Sequence, residues 1–411
     1  MIRTRRSLYA VTFLMVFLTM MAACTQGQPD QASDETTPPS PPAATQPPTQ
    51  APSLITGDTE EELAEAGIRT SAWSTDFSTR STPLTEFRSG GPPKDGIPAI
   101  DEPRFITIQE ADEWLAGPEP VQVVEVNDDV RAYPLQILMW HEIVNDEIGG
   151  KPVAVTYCPL CNTALAFDAT LPDGRVLDFG VTGMLRFSDL VMYDRQTESW
   201  WQQAMGEALV GELTGTRLTF LSSPVVSWEE FKRAHPEGRV LSRETGFLRD
   251  YGRNLYTRYD SGQPFLFRGE EDDRLPATER VVAVEIGADA AAFPFSVLEE
   301  QPVVHTSVGG RDIVIFYKKG TASALDSSRI ADGKDVGAAG VFVPAVDSRS
   351  LTFQAEGEYF RDDQTATLWD LLGNAVEGQL AGERLEPVVH GNHFWFAWAA
   401  FQPDTRLYQG E

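Results

Sequence analysis

Apolar and polar positions alternate most clearly between Val153 and Asp168, in V-A-V-T-Y-C-P-L-C-N-T-A-L-A-F-D. Val153, Val155 and Tyr157 fall on one face of a predicted strand, Cys158-Pro159-Leu160-Cys161 turns the chain, and Leu165 with Phe167 begins a second strand. The same kind of patterning occurs elsewhere, and twice over. Val121 to Leu138 reads V-Q-V-V-E-V-N-D-D-V-R-A-Y-P-L-Q-I-L, and Val281 to Leu298 reads V-V-A-V-E-I-G-A-D-A-A-A-F-P-F-S-V-L. An offset of 160 then carries Gly149-Gly150 onto Gly309-Gly310 and Tyr157 onto Tyr317. Further on, Asp194, Thr197 and Trp201 fall on Asp362, Thr365 and Trp369. The pattern predicts an internal duplication, 121–241 and 281–408, in which each copy contains strands, a short helix and a Gly-Gly turn.

The expected fold class is therefore α+β and β-rich, with two tandem pseudo-repeated lobes joined by a Tyr/Arg-rich insert at 242–280. Trp228 with Phe231, and Trp395 with Trp398, recur at i, i+3 spacing and read as the buried face of a short helix in each copy. At the position of the first copy's C-P-L-C, the second has Lys318-Lys319-Gly320-Thr321. On this alignment the turn is expected to form without thiols, so that the pair would be chemistry added to a scaffold.

Ahead of the patterned region, residues 57–120 read as an irregular lead-in punctuated by Pro83, Pro92, Pro93 and Pro98, with one short helix at Glu60 to Ala66. Residues 25–56 are rich in Pro, Thr, Gln and Ser and are expected to be a disordered tether. Residues 1–24 have the form of a signal peptide: Arg3, Arg5 and Arg6, an apolar stretch from Leu8 to Met21, then Met21-Ala22-Ala23-Cys24, close to a bacterial lipobox. Cys24 is thus the expected lipidation site, and the protein is expected outside the cytoplasm, anchored to a bacterial membrane. A formal charge of −28 argues against a nucleic-acid partner, which needs a basic footprint.

With Cys24 acylated, Cys158 and Cys161 are the two thiols left. A disulfide closing so short a loop gains only about 1.9 kcal/mol from chain entropy, so stabilisation is a poor reason for the pair. Redox action needs two thiols close enough to bond and one able to ionise, and Pro159 after Cys158 suggests a helical turn whose N–H groups favour a thiolate. His141, in M-W-H-E-I-V-N-D, is the candidate base beside Cys158 and Cys161. A metal site needs more ligands than one C-x-x-C provides, so a copper or zinc module would draw on Cys158, Cys161, His141 and His393. Otherwise no cofactor is implied.

Four stretches, H-E-I-V-N-D, V-T-Y-C-P-L-C-N-T-A, D-L-V-M-Y-D-R-Q-T and F-W-F-A-W-A-A-F-Q-P-D-T, resemble the bacterial family known as domain of unknown function 3179, over about Val121 to Tyr408. The resemblance supplies no activity. It implies a selenocysteine in some members at the position matching Cys161, which favours redox chemistry. The expected function is a membrane-anchored thiol–disulfide oxidoreductase or redox-responsive protein, acting on a protein thiol or a small oxidant. The alternatives are the metal-binding module and a non-enzymatic envelope scaffold whose Cys pair is inert.

Overall fold

The structure is a computed structural model describing residues 53–410. The leader, Cys24 and the tether as far as residue 52 lie outside them. The described chain is strand-rich, with several antiparallel sheets and short helices. Among the described residues no helix is long and apolar enough to cross a membrane.

The thiol strand, Lys151–Cys158, lies inside a four-stranded sheet between Ile143–Ile148 and Thr163–Asp168, with Thr219–Leu221 at the far edge. Nearly all its residues are buried, because the chain packs on both faces of the sheet. The Gly149-Gly150 turn feeds it. Gly149 has φ 54°, and a Cβ there would lie 2.2 Å from the Val126 carbonyl oxygen, so only glycine fits. Gly309 stands in the same relation to Ile286, with 2.4 Å left for a Cβ.

Local geometry recurs between the two patterned segments. Val121 pairs with Pro134 and Val281 with Pro294, each in an antiparallel hairpin. The Tyr157 N–H donates to the Glu142 carbonyl, and the Tyr317 N–H to the Pro302 carbonyl. Asp194 accepts from the Thr197 backbone at 2.6 Å and the Trp201 indole at 2.9 Å; Asp362 accepts from Thr365 at 2.6 Å and Trp369 at 3.0 Å. Both indoles are fully buried. The cores nevertheless run together. Val121, Val123, Trp228 and Phe231 share one apolar cluster with Val314, Phe316, Phe342 and Trp369.

Two expectations change here. The lead-in is not wholly irregular. It begins with the helix Thr59–Ala66, and its short strands Phe87–Ser89 and Phe105–Ile106 each form the edge of a sheet. Strands of three and two residues are too short to show a period. More consequentially, the second segment does not make the thiol turn at all. Cys158 pairs with Thr163 across four residues, whereas Lys318 pairs with Ala338 across a loop covering 319–337. Sequence alignment through Leu165 and Leu325 placed a loop residue opposite a strand residue. That loop packs against the first segment: Ala324, Leu325 and Ile330 lie in the apolar cluster that contains the thiols.

The repeated Asp–Thr–Trp bonds give a direct test. Asp194→Ala and Asp362→Ala each strand a buried indole N–H and a backbone N–H, so each should cost roughly 2–4 kcal/mol. Denaturant midpoints measured for both variants should fall by similar amounts.

A buried dithiol and carboxylate centre

Cys158 ends its strand in extended conformation, Pro159–Cys161 make one 3₁₀ turn, and Asn162 at φ 51° reverses the chain into Thr163–Asp168. Proline suits the first position of such a turn because its fixed φ matches and its missing N–H is not needed. The turn is three residues long and the Cys158 side chain does not cap it. Burial raises the Cys158 thiol and outweighs the Cys161 thiol and backbone N–H of the turn, which favour a thiolate there. Both cysteines are free and buried, at 2% and 0% exposure, and burial raises the thiol pKa of each. They approach to 3.8 Å.

A third group completes the cluster. Asp189, fully buried, offers a carboxylate oxygen within 4.8 Å of both sulfurs. It is the first residue after the Phe187-Ser188 turn, whose two positive φ values, 52° and 67°, match the twist of the hairpin between Phe179–Arg186 and Asp189–Asp194. The same turn supplies the Ser188 carbonyl to the Cys158 thiol at 3.7 Å. Oδ2 of Asp189 accepts from the Gln202 amide at 2.6 Å and the Ala204 N–H at 2.9 Å; Oδ1 has no N–H or O–H donor, and the thiols of Cys158 and Cys161 are the other groups that hydrogen-bond this carboxylate. Burial pushes the Asp189 carboxyl up to about 6, against the pull of those donors.

Glu142 adds a fourth buried acid. It follows the helix Leu135–His141 at φ 59°, its Oε2 has no partner, and burial, with the Asp189 charge, pushes it up to about 8. Tyr256 and Tyr259 of the insert, Leu325 of the 319–337 loop and Phe394 share the cluster that buries the thiols.

The histidines do not join the group. His141 is buried with both ring nitrogens engaged, Nδ1 with the Pro98 carbonyl at 2.7 Å and Nε2 with the Tyr251 hydroxyl at 2.6 Å. Both ring nitrogens are thus engaged away from the thiols, and His141 is outside the donor cluster. His393 comes nearer: its strand, Gly391–Phe394, lies against Thr163–Asp168. Its Nδ1 is bonded to Thr163 Oγ1 at 2.8 Å and its ring stacks on Trp398, so it braces the turn and is not part of the donor cluster. His390 Nδ1 donates to the Val388 carbonyl. Asp189 and Glu142 are the residues that sequence reasoning missed. Glu142 sits next to His141, and Asp189 lies in D-L-V-M-Y-D, one of the four stretches that carry the family resemblance.

Fold and site together define a strand-rich protein built around a buried dithiol–carboxylate centre. Over residues 94–405 it matches the family described as "Protein of unknown function (DUF3179)", and the chain belongs to that family. The match begins ahead of Val121, in keeping with the lead-in's part in the sheets. No curated protein and no solved structure matches the chain.

Burial lowers the His141 pKa to about 4 from an ordinary 6.5. A depressed histidine contributes stability that is present above pH 6.5 and lost as pH falls toward 4, because the unfolded chain takes up the proton first. His141→Gln should therefore flatten the wild-type dependence of unfolding free energy on pH in that window, by up to about 1.4 kcal/mol per pH unit. Urea unfolding across the pH range checks it.

Proposed function

We propose that this chain is a metal-binding protein that holds one thiophilic divalent ion, zinc in the first instance, through Cys158, Cys161 and Asp189. The observation that carries the reading is the cluster itself: two buried thiols and the fully buried Asp189 carboxylate, whose Oδ1 meets no N–H or O–H donor, with all three ligand atoms within 4.8 Å of one another. A buried carboxylate oxygen without a donor is costly unless it is protonated or meets a cation. The spacing of the cysteines supports a shared ion as well. Two thiolates each about 2.3 Å from a tetrahedral zinc lie roughly 3.8 Å apart, which is the separation here. Gln202 and Ala204 fix the Asp189 carboxylate from behind, as donors around a metal ligand do. Anchoring belongs to the same proposal: acylation at Cys24 would hold the centre outside the cytoplasm, and Cys24→Ser should release the protein from the membrane fraction.

Thiol–disulfide exchange keeps one specific observation in its favour. The cysteines need only close from 3.8 Å to a bonding distance of about 2.05 Å, with Asp189 beside them to take a proton. Against it stands burial, which raises both thiols and leaves no sulfur open to a protein disulfide.

Metal analysis of full-length protein purified without chelator separates the two. About one zinc per chain is expected, and Cys158→Ser or Asp189→Asn should weaken binding at least about 100-fold, a ligand counting for more than the second-shell contacts worth 10–100-fold. Binding displaces protons from groups whose pKa values are raised, so affinity should rise with pH and fall away below about 6, where Asp189 retains its proton. Metal-free wild type that cycles with a dithiol buffer, and gains nothing from zinc, would reverse the order of the two readings.

A further inference from the structure

The three donors leave one position of a tetrahedral ion unfilled, and resting on the metal reading above, we propose that Glu142 fills it, closing the centre with two thiolates and two carboxylates. Glu142 is 7% exposed, and its Oε2 lacks a hydrogen-bond partner. The charge of Asp189 helps to raise Glu142, and Glu142 in turn helps to raise Cys158, so its buried carboxylate faces the same cluster.

The backbone at Glu142 is held in an uncommon state. A glutamate at φ 59° occupies a backbone region that non-glycine residues rarely adopt. It is kept there from both sides: its N–H donates to the Leu138 carbonyl at 2.7 Å, and its carbonyl accepts from the Tyr157 N–H at 2.8 Å. Tyr157 immediately precedes Cys158, so one hydrogen bond fixes Glu142 to the thiol strand. The Glu142 carboxylate is not among the donors that lie within 4.8 Å of one another, so ligation requires its flexible side chain to swing inward. Four anionic donors about a divalent ion carry the same formal charge as a four-cysteine zinc site.

The second segment gives an internal comparison. Where the Glu142 carbonyl receives the Tyr157 N–H, Pro302 receives that of Tyr317. Lys318 ends the strand that corresponds to the thiol strand, where Cys158 stands. The backbone relation of Glu142 to its strand is kept while Pro302 and Lys318 stand in place of Glu142 and Cys158. Backbone geometry alone does not call for a carboxylate at 142.

Cobalt(II) loaded into the full-length protein tests the assignment, with azide as the probe for an open coordination position. A thiolate-to-cobalt charge-transfer band in wild type reports the cysteines, and its absence would remove the metal reading itself. With that band present, the expected result is a wild-type visible spectrum unmoved by azide. Glu142→Ala should bind cobalt about 10–100-fold more weakly and show bands that azide shifts. Glu142→Gln, which keeps the side chain's volume, serves if the alanine variant does not fold. A wild-type spectrum that azide shifts, or a variant indistinguishable from wild type in affinity and azide response, overturns the role of Glu142 and leaves the three-donor centre standing.

Discussion

Desolvation of acids is the constraint on which the centre depends. Cys158, Cys161, Asp189 and Glu142 are all withdrawn from water, and burial raises the pKa of each. Among the described residues neither Asp189 nor Glu142 is ion-paired with a guanidinium or ammonium, and none is among the largest influences on the four. Elsewhere buried carboxylates are either paired, as Arg131 bridges Asp129 and Asp146 and Arg280 meets Asp260, or supplied with several neutral donors, as Asp194 and Asp362 are. The contrast marks the centre as a place that holds protons or a cation. Its neighbours are arranged for either state, since the Gln202 and Ala204 donors favour an anionic Asp189 while the apolar cover opposes it.

That cover comes from far along the chain. The 319–337 loop lies across the first segment, where the Tyr259 N–H reaches the Leu325 carbonyl and the Arg258 N–H reaches that of Asp326. The insert at 242–280 is thus tied to the loop by main-chain bonds, and both shut the thiols in. His393 adds a third contact through Thr163, whose backbone pairs with Cys158. The second segment, which has none of the four acids, therefore supplies the seal for the segment that has them.

Sequence alone made the strands, the Gly-Gly turns and the cysteine pair legible, because each leaves a local signature: alternation, paired glycines, a two-thiol spacing. The long-range partners left none. Asp189 flanks an ordinary hairpin turn and becomes a neighbour of Cys158 only when two separate sheets pack. His141 drew attention as an imidazole beside a strand, yet a helix C-terminus turned it toward Pro98 and Tyr251 and left the adjacent Glu142 facing inward chemistry. The 319–337 loop was misread for the opposite reason. A run of matching letters, A-L at 164–165 and 324–325, suggested a shared turn where the backbone had taken a longer path.

Under the proposed metal reading, the same long-range assembly bears on how an ion would get in. Glu142 follows a helix, Cys158 ends a strand, Cys161 sits in a turn and Asp189 opens a hairpin, so the unfolded chain presents at most the C-x-x-C as a local pair. Metal affinity at such a site is folding free energy, because the other donors arrive only with the sheets that carry them. Once Tyr256, Tyr259 and Leu325 pack over the sulfurs, exchange requires that cover to open. An ion bound during folding would then be retained by the rate of opening as much as by its affinity. In an oxidising compartment, the same closure shields two thiols that would otherwise be exposed to disulfide exchange.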